Sequence, residues 1–137
     1  MTLAITFTEP KDVTDPGLDG WKYSFPFSIV DSALIGAPEQ RSQTHHHRLI
    51  VKVSRNRVVG WGISDVDLPK ILFEFGKRRI TELVQSNSLP EAEAIRLMIN
   101  TSSHPEPECP FDASAIPSPN GHTFKVERAK GRIGFSP

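Results

Sequence analysis

Residues 21–29 constrain the fold more than any other stretch of this chain. Trp21, Tyr23, Phe25, Phe27 and Ile29 fall on one side of an extended backbone, and Lys22, Ser24, Pro26 and Ser28 on the other. Successive side chains of a strand point to opposite faces, so five large apolar groups at period two describe a strand with one face in a core. Pro26 has no N–H to give to a neighbouring strand, which predicts an edge strand or a bulge. A long aromatic edge invites pairing with another chain unless it is covered. The expectation is therefore a homodimer through this edge, or a strand from His122–Val126 lying against it.

The neighbouring segments extend the pattern. Leu3, Ile5 and Phe7 alternate with Ala4 and Thr6 as a short strand, and Glu9–Gly20 has the Pro, Gly and Asp content of a loop. Leu49, Val51 and Val53, followed by Val59, Trp61 and Ile63, read as the two strands of a β-hairpin turning at Arg55-Asn56. Gly60 and Gly62 beside Trp61 suggest a bulge or a close approach. A helix begins near Asp65 or Asp67, with Pro69 in its first turn, and carries Leu68, Ile71, Leu72, Phe75, Leu83 and Val84 at helical spacing. Gly76 lies in that stripe, which suits tight packing on a sheet. After Ser86-Asn87, the run Ser88-Leu89-Pro90-Glu91 fits a capping box, predicting a second helix with Ile95, Met98 and Ile99 inward and an end near Thr101-Ser102. The predicted core is Trp21, Tyr23, Phe25, Phe27, Leu49, Val51, Val53, Trp61, Ile63, Leu72 and Phe75.

Five of residues 105–119 are proline, which forbids a helix or a central strand there. The reading is an α+β fold: an antiparallel sheet of about four to five strands covered on one face by two helices. It is organised as an α+β core over 1–103 and an extended Pro-rich C-terminal arm over 104–137, with room for a short strand at 122–127. A chain of 137 residues is long enough for one core without staples. The single cysteine, Cys109, excludes an internal disulfide framework. The N-terminal residues do not read as a secretory signal, and no apolar run reaches membrane-spanning length. A cytoplasmic location is the default expectation, with no membrane partner.

Sixteen basic residues balance sixteen acidic ones, so no global charge draws the chain to nucleic acid. The distribution is uneven. Gln40–Ser64 contains no Asp or Glu but holds Arg41, Arg48, Lys52, Arg55 and Arg57, whereas Glu9–Glu39 has six acidic and two basic residues. A basic hairpin carrying those five residues is the candidate nucleic-acid or anion-binding element. Further basic residues lie at Lys77-Arg78-Arg79 and at Lys125, Arg128, Lys130 and Arg132. The run His45-His46-His47 offers at most two convergent imidazoles, His45 and His47, because strand neighbours alternate. A metal site would need further ligands, such as His104, Cys109 or His122.

Asp65 and Asp67 read better as helix-capping groups than as catalytic carboxylates, and Glu74 and Lys77 as a wet helix face. Cys109 sits among Glu106, Glu108 and Asp112, which do not activate a thiol. Phosphate loops, nucleophile elbows and paired CxxC motifs are absent, and no cofactor is implied. The function expected from class is a small non-enzymatic protein-interaction domain, with a protein partner or a second copy of the chain as its ligand. A weak nucleic-acid or anion binder comes second, and an enzyme with a site built from scattered residues third.

Overall fold

The computed structural model describes residues 1–90, 94–99, 109 and 111–128. Among these, one sheet is built from β1 (Thr2–Phe7), β2 (Lys11–Asp12), β3 (Gly20–Asp31), β4 (His45–Ser54), β5 (Ala94–Ile99) and β6 (Thr123–Glu127). Helices α1 (Arg55–Trp61) and α2 (Leu68–Gln85) lie between β4 and β5. The sheet order is β5-β4-β3-β1-β6, with β2 also paired to β3. The chain is thus an α+β fold. The sheet is mixed, because β5 runs parallel to β4 while the other pairs are antiparallel. A parallel neighbour needs a crossover, and α1 and α2 supply it.

The alternation in β3 has its expected consequence. Phe25, Phe27 and Ile29 are buried, and they join Ile5 and Phe7 of β1, Leu49, Val51 and Val53 of β4, and Leu72, Phe73 and Ile80 of α2 in one core. Trp21, Tyr23, Ile63 and Phe75 are half-buried at its margin. Gly76 lets α2 sit directly on the sheet: a Cβ there would overlap Leu49 Cδ2. The expected strand at 3–7 and the first helix stand, with Asp67 before Leu68.

Three expectations are corrected. First, β3 is central, between β4 and β1, so it offers no edge for a homodimer. Its proline is tolerated because the Pro26 carbonyl accepts the Thr8 N–H at 3.0 Å. The ring nitrogen therefore faces the place where β1 has just ended, and no ladder bond is lost. The C-terminal strand pairs with β1 instead, Leu3 opposite Val126.

Second, the hairpin's return strand is a helix. Ser54 Oγ accepts from Arg57 N–H at 3.3 Å, and Gly62 closes the helix in the left-handed region at φ 69°. Val58 and Trp61, three apart, point inward. The period-two spacing of Val59, Trp61 and Ile63 misled because Val59 is solvent-facing.

Third, residues 94–99 form β5 and not the second helix. Ile95, Leu97 and Ile99 pack on the core, and Met98 is 66% exposed. The apolar set fits both periods, and the vacant edge of β4 decides for the strand. Glu91 of the expected capping box and the expected helix end at Thr101-Ser102 lie outside the described residues.

The boundary expected at 103/104 and the basic residues Lys130 and Arg132 also lie outside them. Within 111–120 the only helical element is a 3-10 turn, Ala113–Ala115. Ile116 enters the core, and the Phe111 ring meets Phe75 edge-on at 4.7 Å. His122 then lies over α2, its ring 5.7 Å from Phe73 and its Nε2 3.2 Å from Lys77 Nζ. Lys77 can only donate, so Nε2 accepts and the ring proton sits on Nδ1.

Burial, and then the Lys77 charge, hold the His122 pKa below its ordinary value of 6.5, with Glu74 opposing them. The unfolded chain therefore binds the extra proton first as pH falls. The stability this group contributes is complete above about pH 6.5 and is lost as pH falls through the folded pKa. His122→Asn should remove that component from a plot of unfolding free energy against pH between about 4 and 8, leaving a shallower slope than the parent's. Parallel plots for the two proteins would show that His122 is not a source of the acid sensitivity.

Candidate binding surface

Helices α1 and α2 pack on one face of the sheet, and no described helix covers the other. Cross-strand register shows what that open face carries, because paired residues point the same way. Lys22 stands opposite Lys52, which adjoins Met98. Ser24 stands between Lys11 and Ile50, and Ile50 adjoins Arg96. Pro26 stands opposite Arg48, which adjoins Ala94. Five basic side chains from four strands thus surround a small patch of Ser24, Pro26, Ile50 and Met98. Arg48, Arg96 and Met98 are exposed, and Lys22 and Lys52 are half-exposed.

Among the described residues the acid in contact with this cluster is Asp15, whose Oδ2 lies 2.8 Å from Lys22 Nζ. That hydrogen bond holds the Asp15 carboxyl below the usual carboxylate range, and the Lys22 and Lys52 charges act in the same direction. Asp15 is itself exposed, so the pair is screened by water and offsets little of the cations' mutual repulsion. Like charges directly opposite on a sheet are destabilising. The chain nevertheless keeps Lys22 across from Lys52.

The five basic residues expected to act together are dispersed. Arg48 and Lys52 are on the open face. Arg41 is in the loop before β4, lining a shallow depression with His46. Arg55 Nε is 3.0 Å from Asp19 Oδ1, with its guanidinium over the Trp21 ring. Arg57 is 8% exposed in α1. In place of a hairpin tip, the structure adds Lys11, Lys22 and Arg96 to Arg48 and Lys52. Lys22 was legible as the polar side of β3; Arg96 was hidden by the helical reading of 94–99.

His45 and His47 do share a face, the helix side, opposite Ile29 and Phe27, while His46 turns to the open face. The His47 ring stacks on Phe27 at 5.4 Å. Among the described residues no group of three or more His, Cys, Asp or Glu side chains is placed to hold a metal ion. Of the further ligands considered, His122 is engaged with Lys77 and Phe73, and His104 lies outside the described residues. Cys109 packs at the core margin, where burial pushes its thiol pKa up. Glu74 pairs with Arg78 at 3.1 Å, and the Asp67 side chain makes no capping bond. No described helix is long and apolar enough to cross a membrane. Comparison with known proteins finds no matching family model, no similar curated protein and no similar solved structure.

Proposed function

We propose that this chain is a non-enzymatic interaction domain that receives an acidic protein surface on the open face of its sheet. The observation that carries this reading is the cluster of Lys11, Lys22, Arg48, Lys52 and Arg96 on one face of a chain with no net charge. Five cations gathered on a flat sheet repel one another, and an acidic partner relieves that repulsion on docking. Met98, 66% exposed among them, supplies apolar contact of the kind found at the centre of protein interfaces. Among the described residues the face presents no Phe, Tyr or Trp ring and only the His46 imidazole, so it lacks the extended stacking platform of single-strand nucleic-acid binders. A cytoplasmic setting goes with this reading.

The test is binding of the intact chain to poly-glutamate and, in parallel, to duplex DNA. Poly-glutamate should bind at about 50 mM salt and be released by about 200 mM, as expected of steering by exposed charges. Lys22→Glu with Lys52→Glu should weaken it by about tenfold or more, because two attractions become repulsions. Lys52→Glu alone should melt no lower than the parent, since Lys22 then faces an opposite charge across the strands. Preferential binding of duplex DNA, with a log–log salt slope of about −0.9 per phosphate contacted, would transfer the face to nucleic acid. Binding of neither would end the proposal.

A further inference from the structure

A second feature lies on the opposite, helical side of the sheet, at the end where β1 and β4 begin and β3 ends. A cleft of about 580 Å³ opens there beneath the C-terminal turn of α2. That is within the ordinary range for small-molecule pockets, roughly 300–1,000 Å³. Its walls are apolar, with Leu3 and Ile29 from the sheet, Val84 from α2, and Leu89 from the segment that follows. Its polar groups are His45, His47, Gln43, Asp31, Asn87 and Arg128.

These polar groups are arranged by the fold. Asn87 ends α2 in the left-handed region at φ 56° and accepts from Arg128 Nε at 2.7 Å. This bond holds the guanidinium at the cleft edge and uses one of its five donors. Asp31 turns its carboxylate to the Ala33 N–H at 3.0 Å, where it caps a 3-10 turn. His47 Nδ1 is buried with no partner among the described residues. Arg128, His45 and Gln43 supply N–H donors at the lining. The cleft is rich in donors and in apolar wall, and its one carboxylate among the described residues, Asp31, is engaged.

We infer that this cleft binds a small amphipathic anion, with its apolar body against Leu3, Ile29, Val84 and Leu89 and its oxyanion head at His45 and Arg128. The site is separate from the open face and does not rest on the function proposed for it. Octanoate, octyl phosphate and octylammonium serve as probes in titrations of the intact chain followed by two-dimensional NMR. Octanoate or octyl phosphate should bind with a Kd below about 1 mM, and the tighter of the two identifies the head group. Shifts should be confined to residues around Val84, Leu89, Leu3 and His45, and octylammonium should bind at least about tenfold more weakly.

Arg128→Gln should weaken octanoate about tenfold, the loss expected for one charged hydrogen bond. His45→Ala gives an independent reading should Arg128→Gln melt early. Equal binding of octylammonium and octanoate, no binding at about 1 mM, or unchanged affinity in both variants would overturn the assignment. Lys22→Glu with Lys52→Glu should leave octanoate binding unchanged, so the two sites fail or stand separately.

Discussion

Phe73→Ala should lower the unfolding free energy by about 3–5 kcal/mol, the range for truncating a buried aromatic. Phe73 is fully buried on the sheet side of α2. Its ring meets Phe7 edge-on at 4.9 Å, lies 6.2 Å from Phe25 and touches His122 at 5.7 Å. One side chain therefore joins the helix to β1, to β3 and to the segment entering β6. Truncation leaves a hole that these neighbours cannot all collapse into, because each is held by its own strand or helix. Phe73→Leu keeps most of the volume and should cost only about 1–1.5 kcal/mol. Urea unfolding measures both, as a shift in midpoint at constant slope. A cost below about 1 kcal/mol for the alanine variant would mean that α2 does not pack on the sheet through this face.

Gly20→Ala should cost about 3 kcal/mol, the upper end of the usual penalty for overpacking. Gly20 opens β3 opposite Ser54, and a Cβ there would overlap the carbonyl oxygen of Val53 and lie 3.0 Å from Ser54 Cα. Both obstacles are backbone, so no rotamer change relieves the clash and the two strands must part. They would part where α1 is set up: Asp19 O accepts from Arg55 N–H at 3.1 Å, and Ser54 Oγ accepts from Arg57 N–H. Hydrogen exchange should show early loss of protection at Arg55 and Arg57, ahead of the centre of β4. Gly60→Ala is the contrasting case. Gly60 is in α1 with open space around its missing Cβ, so alanine should stabilise by about 0.5–1 kcal/mol through helix propensity. If Gly20→Ala were as well tolerated, the close approach of β3 and β4 would be absent in solution.

The two proposed binding surfaces were legible to different degrees. Lys52 and Arg48 could be placed on a strand face opposite Leu49 and Val51 from period two alone, and so could the shared face of His45 and His47. Lys22 and Lys52 could not be made partners, because that depends on the register of β3 against β4 over a separation of thirty residues. Arg96 required β5. The cleft required more still: His45, Asn87 and Arg128 come from the start of β4, the end of α2 and the residue after β6. Nothing local in the sequence relates them.

By itself the sequence determined the class of fold and most of what is inside it. Large apolar residues at period two in β1, β3 and β4, and at helical spacing in α2, have one low-energy arrangement each, because every alternative register exposes several of them to water. Tertiary structure alone decided the rest. Residues 55–61 and 94–99 are short and fit either period, so local preference does not choose; a seven-residue helix is marginal alone. Packing Val58 and Trp61 under the sheet decides the first, and the open hydrogen-bonding edge of β4 decides the second. Pro26 marked an edge in the sequence and sits in a central strand, because where β1 stops is set by the whole sheet and not by the residue. Whether a group of charges becomes a surface or a scatter is decided at the same level, since it depends on which strands end up side by side.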